Sequence, residues 1–340
     1  MTERPRPHLL IGFDGSEAAE HAIDVAGRLV PGARATVVTV RDSWKPLEHA
    51  AWARIGLPDA VLVPAAATLE HEAAQAAAAR ADQGRRRALL AGFDAECVVE
   101  DASRPWRGLA AAARRLGTDA IVCGAHGHGG AARAVLGTTA DALLHHAPSA
   151  VLVVPPGAAA LDGPLLIGYD GSAAADEAIR VAARLFSGRR ALVIRTWRSP
   201  FDRSYAGEAL DATPLDDVQL MVIDVELAFA ADAERAAAAG AARARDVGLD
   251  AQAFPVRADS GAWRGLERTA EAEHAAVVVV GSRGRGAIAA TLLGSVASGL
   301  AHNAARPLLI ARAPAAQSAS DTAETASTIT QTATSTTVAD

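Results

Sequence analysis

The chain of 340 residues is predicted to be an α/β protein of two tandem domains. Each domain is read as a parallel sheet covered by helices on both faces. Three observations predict this. "LLIGFDGSEAAEHAIDVAGRLV" (9–30) returns as "LLIGYDGSAAADEAIRVAARLF" (165–186). "SRPWRGLAAAARRLGTDAIVCGAHGHG" (103–129) returns as "SGAWRGLERTAEAEHAAVVVVGSRGRG" (260–286). Within each copy, continuous apolar runs alternate with helix-patterned stretches, the mark of a parallel sheet buried on both sides. Asp14 and Asp170 are 156 residues apart, whereas Trp106 and Trp263, Gly124 and Gly281, and Gly137 and Gly294 are each 157 apart. The one-residue drift is expected between "RDSWKPLEHAAWARIGLP" and "RTWRSPFDRSYAGEALD", where the copies diverge as surface loops do. The length suits two domains.

The elements of the first copy follow in order. "HLLIGF" is a short apolar strand ended by Asp-Gly-Ser, and Ser16 is placed to cap an amphipathic helix over 17–30 that stops at Pro31-Gly32. "ATVVTV" is a second strand. Residues 66–91 are Ala-rich and helical in pattern up to Gly92, and "AECVVE" is a third strand. A helix over 104–116 closes at Gly117. "DAIVC" is the fourth strand, "GTTADALLHHA" a helix, and "AVLVV" the fifth strand. The expected domains are 1–157 and 163–313, joined by the Pro/Gly/Ala-rich "PPGAAALDGP". Residues 314–340 read as a disordered Ser/Thr/Ala tail.

Composition narrows the function. Half the residues are hydrophobic but only 4% are aromatic, so Ala, Val and Leu must fill the core. The formal charge is −6, and three acidic residues, Asp321, Glu324 and Asp340, stand after Pro314 without Lys or Arg, which leaves about −3 on the body. No strong basic field remains for nucleic acid. No run of 18 apolar residues suggests a membrane span, and "MTERPRPHLL" lacks a signal-peptide core. Two cysteines, Cys97 and Cys123, fit a reducing compartment. The expected location is cytoplasmic.

The chemistry-bearing signal is a repeated glycine motif. "GAHGHGGAARAVLGT" (124–138) and "GSRGRGAIAATLLGS" (281–295) both read Gly, two residues, Gly, nine residues, Gly, Ser or Thr. Each follows the fourth strand of its copy, and Asp14 and Asp170 end the first. Ligands of parallel sheets bind beyond the carboxyl ends of the strands. Glycines let the backbone approach an anion, and the helix after Gly137 or Gly294 offers free N–H groups. A Walker A loop is excluded, because the single lysine, Lys45, follows Trp44. A metal reading of His126, His128, His145 and His146 fails against the second copy, which carries Arg283, Arg285, His302 and Asn303 there. Cys97 and Cys123 align with Phe254 and Val280 and read as core residues. Trp106 and Trp263 read as packing at a helix start. No Ser-His-Asp set or paired carboxylate accompanies Asp14 and Asp170, so no catalytic residue is assigned.

The "GFDGS" strand end, the glycine motif and the five-strand pattern together resemble the universal stress protein family in its tandem form, over residues 8–313. The resemblance implies Rossmann-like α/β/α sandwiches with five parallel strands each. It also implies ATP or another adenine nucleotide, with or without Mg²⁺, at up to two sites per chain. Asp14 and Asp170 would lie beside adenine and ribose, next to Gly12 and Gly168, with Val40 and Ile194 near the base. Phosphates would lie by Gly124, His126, Gly127, His128, Gly129, Gly137, Thr138 and Thr139 in the first copy. In the second they would lie by Gly281, Ser282, Arg283, Gly284, Arg285, Gly286, Gly294, Ser295 and Val296. The first copy departs from the family with Ala125 where Ser282 keeps a hydroxyl, and with histidines where the second has arginines. The second site is therefore expected to hold phosphate more tightly. The fifth strands, "AVLVV" and "PLLIA", are expected to pair across a dimer-like interface that a tandem chain can form internally, with a further homodimer and an unknown protein partner left open. The expected function is an ATP-binding stress-response or regulatory protein. The alternatives are a slow ATPase or phosphotransferase, and a nucleotide-free, partner-binding member of the family.

Overall fold

A computed structural model describes residues 5–41, 59–127, 136–159, 162–201, 215–284 and 293–312. Its strands are β1 (His8–Gly12), β2 (Arg34–Arg41), β3 (Asp94–Asp101), β4 (Ala120–Gly124) and β5 (Ala150–Val154), then β6 (Leu165–Gly168), β7 (Arg190–Trp197), β8 (Asp250–Arg257), β9 (Val277–Gly281) and β10 (Leu308–Ala311). Among the described residues eight helices alternate with them: α1 (Glu17–Leu29), α2 (Asp59–Leu90), α3 (Pro105–Leu116) and α4 (Thr138–His146), then α5 (Ala173–Leu185), α6 (Leu215–Asp246), α7 (Ala262–Ala272) and α8 (Ser295–Asn303). The helix α2 starts seven residues before the Ala-rich pattern suggests. The β-branched and Pro residues of "AVLVP" mask its first turns at the level of sequence.

The ten strands form one sheet in the order β3-β2-β1-β4-β5-β10-β9-β6-β7-β8. All pairs within each half are parallel, and the halves meet where β5 runs antiparallel to β10. The two five-stranded sheets are thus fused within the chain. In that seam Leu309 faces Leu152, with Leu308 opposite Val153 and Ile310 opposite Val151. Leu152 and Leu309 are also repeat equivalents, so a pseudo-twofold axis passes between them. Both are fully buried.

Strand alternation sorts side chains onto two faces. Leu9 and Ile11 join a core under α1, α2, α5 and α6, while Leu10 joins the opposite core under α3, α4, α7 and α8. Polar ties cross the seam as well. Arg184 of α5 pairs with Asp119, and Arg189 Nη2 donates to the Arg28 carbonyl at 3.2 Å. Arg312, just past β10, donates to the His145 carbonyl in α4 of the first half.

Candidate functional site

The strand order turns at β1 and β4, and again at β6 and β9, with the crossovers leaving on opposite sides. Such points open a crevice at the strand ends, and the protein has one at each.

The chain leaves β1 through the Asp14-Gly15-Ser16 turn. Gly15 has φ +83°, and its counterpart Gly171 has φ +80°, a region that L side chains rarely adopt. Asp14 Oδ1 accepts from the Ser16 N–H at 3.0 Å and from its hydroxyl at 2.6 Å. Asp170 Oδ1 likewise accepts from the Ser172 N–H at 3.0 Å, but the Ser172 hydroxyl turns to the carbonyl of Arg283 at 3.3 Å. Ser16 and Ser172 also cap α1 and α5, each accepting from an N–H three residues on at 3.2 Å.

The glycine motif meets this turn from the other side. A Cβ on Gly127 would stand 2.9 Å from Asp14 Oδ2, and one on Gly284 would stand 2.5 Å from Asp170 Oδ2. The second motif glycine is therefore the residue that lets the loop lie against the carboxylate. The loop is closed by backbone bonds from Gly137 N to the Ala125 carbonyl at 2.7 Å and from Gly294 N to the Ser282 carbonyl at 2.8 Å. Gly137 and Gly294 are then the N-caps of α4 and α8, with no side-chain cap bond, which leaves the first helical N–H groups available at the crevice mouth.

The first crevice encloses about 670 Å³. It gathers Gly12, Asp14, Val40, Gly124, His126, Gly127, Gly137, Thr138 and Thr139. The second, of about 240 Å³, gathers Gly168, Asp170, Ile194, Gly281, Arg283, Gly284, Gly294, Ser295 and Val296. His128, Gly129, Arg285 and Gly286 lie outside the described residues. Ser282 does not join its crevice. Its N–H is held by the Ala311 carbonyl at 2.7 Å, and its side chain is buried, with an Oγ that has no partner among the described residues. Val40 and Ile194 are not equivalent either. Gly12 lies opposite Val38 and Gly168 opposite Ile194, so the counterpart of Val40 is Thr196, which also lines the second crevice.

Two cations escape a reading of the motif alone. Arg80, on α2, lines the first crevice, with its Cδ and Nε 3.4 Å from where a Cβ on Gly15 would be. Its counterpart on α6 is Ala236, because the 156-residue offset still holds through β3 and β8; the one-residue drift falls just after them, between Asp101 and Trp106, and not in the diverged loop after the second strand. Arg195, on β7, lines the second crevice in place of Thr39. The Thr39 hydroxyl is instead buried, donating to the Phe13 carbonyl at 2.9 Å. Both ring nitrogens of His126 are buried and have no partner among the described residues.

The remaining conspicuous residues are accounted for structurally. Burial pushes the Cys123 thiol up to about 12, which leaves it un-ionised at the crevice wall. Trp106 stacks on His146 with ring centroids 4.9 Å apart, and Trp263 lies so close to α8 that a Cβ on Gly299 would be 2.5 Å from its ring. The His145 ring nitrogen Nδ1 meets the Asp141 carbonyl at 2.9 Å.

A tandem α/β protein with twin strand-end crevices, each walled by an Asp-Gly-Ser turn and a glycine loop that runs into an uncapped helix, is the class that fold and site define. The profile of the Universal stress protein family matches residues 5–155 and again 163–312, and the chain belongs to that family. A universal stress protein of Mycolicibacterium smegmatis is 34% identical over 197 residues, covering 56% of this chain and 61% of that protein. One of Mycobacterium tuberculosis H37Rv is 30% identical over 196 residues with the same coverage. The matched stretch thus spans about three-fifths of these relatives. The crystal structure of a universal stress protein from Archaeoglobus fulgidus shares the fold at 18% identity with a TM-score of 0.53, over 90% of this chain and 98% of that one. Among the described residues no helix is long and apolar enough to cross a membrane.

Proposed function

We propose that the protein binds an adenine nucleotide, ATP foremost, and acts as a nucleotide-dependent regulatory protein of the stress response. The observation that carries this reading is the convergence at one crevice of the Asp14 turn, the glycine loop at Gly124–Gly127 and the uncapped start of α4 at Gly137–Thr139. Its volume of about 670 Å³ lies within the range of roughly 300–1,000 Å³ of small-molecule sites. Apolar residues, Val38, Val40 and Leu109 among them, line the wall on which a base would rest. Backbone N–H groups, the Thr138 and Thr139 hydroxyls and the Arg80 guanidinium suit a phosphate chain. A phosphate would also give the buried His126 nitrogens a partner. The Asp14 carboxylate, packed against Gly127, suits ribose hydroxyls. Any Mg²⁺ would arrive with the phosphates.

Mass spectrometry of the nucleotide released by denaturing protein purified without added ligand tests this reading. ATP or ADP is expected, together with a rise in melting temperature on adding ATP. Neither nucleotide in the released fraction and no thermal shift with ATP would overturn it.

A further inference from the structure

The two crevices share a backbone frame but differ at the positions that decide what a nucleotide site can hold. Three substitutions separate them. Arg80 on α2 is replaced by Ala236, which is not among the residues that line the second crevice. Thr39 on β2, a small hydroxyl turned onto the Phe13 carbonyl, is replaced by Arg195. His126 in the loop is replaced by Arg283. The first crevice thus has its cation on the outer helix, beside the Asp14 turn, and open space at the strand ends. The second has two guanidinium groups on the strand end and the loop, and about 240 Å³ left between them, below the roughly 300 Å³ at which small-molecule pockets ordinarily begin.

Resting on the nucleotide-binding reading above, we infer that the repeats have divided the work. The first crevice is the nucleoside triphosphate site, with Arg80 as its phosphate-recognising side chain. The second is a site for a compact anion of mononucleotide size or smaller, held by Arg195 and Arg283. Arg80 has no hydrogen bond or ion pair among the described residues and its side chain is exposed. It can therefore turn onto a ligand without breaking a hydrogen bond or ion pair to any described residue. An Arg placed over a phosphate offers a planar fork of donors. Arg283 is in the opposite position. It lies near Arg312, whose charged form burial, and then Arg283 itself, disfavours. An anion at Arg283 would relieve that like-charge contact. The count of arginines in the glycine loops, which makes the second crevice the tighter phosphate site, omits Arg80 and omits the room that Arg195 takes.

The full chain, stripped of bound nucleotide, is titrated with ATP, AMP and adenosine by calorimetry, and labelled peptides are mapped after photolysis with 8-azido-ATP and 8-azido-AMP. The expected results are one ATP per chain with label confined to first-repeat peptides, and AMP at two per chain with label in both repeats. Arg80→Ala should weaken ATP about tenfold and adenosine less than twofold, with Arg80→Lys recovering part of the loss. Two equivalent ATP sites, or 8-azido-ATP label in second-repeat peptides, would overturn the division while leaving nucleotide binding standing. Equal losses for ATP and adenosine in Arg80→Ala would overturn the role given to Arg80. No binding of ATP, AMP or adenosine would overturn the underlying reading as well.

Discussion

Phe13 and Tyr169 occupy equivalent places after the first strand of each repeat, and their surroundings show how the halves have diverged. Both rings press on a glycine of the long outer helix. A Cβ on Gly84 would lie 2.7 Å from the Phe13 ring, and one on Gly240 would lie 2.6 Å from the Tyr169 ring. Around that conserved contact the polar groups differ. Tyr169 donates to Asp176 Oδ1 at 3.0 Å and accepts from Arg243. In the first repeat the equivalent arginine, Arg87, keeps the equivalent acid, Glu20, at 3.8 Å, as Arg243 keeps Asp176 at 3.5 Å, but its hydrogen bonds go to Asp24, where the second repeat has Arg180. Steric positions where helix meets sheet are held, while hydrogen-bonding positions drift. The crevices follow the same rule. Asp14, Gly127 and Gly137 match Asp170, Gly284 and Gly294, but the cations have moved.

The largest effect is expected where the repeats are the same. Leu152 and Leu309 face each other across the seam on the pseudo-twofold axis, both fully buried. Leu152→Ala and Leu309→Ala should each cost about 2–5 kcal/mol and agree with one another, as read by denaturant unfolding of the two variants side by side. A clear inequality would show that the seam leans on one half.

The next effect separates the crevices. Gly127→Ala forces a Cβ to 2.9 Å from the Asp14 carboxylate. ATP affinity should fall at least tenfold, with about 1–3 kcal/mol lost from stability through overpacking. Titration of the variant with ATP, alongside its melting curve, measures both. Retained affinity would mean that the loop and the carboxylate do not act together on the ligand.

The polar divergence at Tyr169 is smaller. Tyr169→Phe recreates the first-repeat side chain but leaves Asp176 and Arg243 as they are. The loss should be about 1 kcal/mol by denaturant unfolding, tempered because the Arg243 side chain is 53% exposed. The reverse change, Phe13→Tyr, meets Glu20 at the equivalent of position 176, a carboxylate that already accepts from Gln83 Nε2 at 3.0 Å and pairs with Arg87, and should gain little.

Much of this frame is legible in the sequence, and the gaps have physical causes. Strand runs such as "VVVV" are buried on both sides, so composition alone marks them. The Ser16 and Ser172 caps are local and read directly. The internal pairing of β5 with β10 follows from two apolar edge strands in one chain. What the motif does not encode is which way a side chain points. Ser282 is buried and outside the lining of the second crevice, while its neighbour Arg283 lines it. Val40 and Ile194 both line their crevices, but the pairing with Gly12 and Gly168 sets them two residues apart in the repeat, a period that keeps the face and so leaves no trace in the sequence pattern. Arg80 sits in an Ala-rich helix with little amphipathic pattern, far in sequence from Asp14, and only the packing of α2 over β2 brings it to the crevice.

The smallest effect lies behind the second crevice, where the repeats differ by a charge. Glu267 on α7 stands where the first repeat has Ala110. Its Oε1 accepts from the Ala305 N–H at 2.9 Å, while its Oε2 is buried without a partner among the described residues. Burial is the main cause that raises its pKa above the ordinary carboxyl value, opposed by the Ala305 hydrogen bond and by Arg306. A carboxyl whose folded pKa is raised contributes stability that is complete below its unfolded pKa, and that contribution is lost as pH rises through the folded value. Once ionised, the group is therefore a small liability that Ala110 does not carry. Glu267→Gln keeps an acceptor for Ala305 and removes the charge. It should raise the melting temperature at pH 7 by an amount equivalent to less than about 1 kcal/mol, since the site is only half-buried. The gain should shrink as pH falls toward the range where Glu267 is already protonated, as thermal unfolding across pH 4–8 would show. A gain that stays constant with pH would mean that the substitution acts through packing, and that this charge does not distinguish the second repeat from the first.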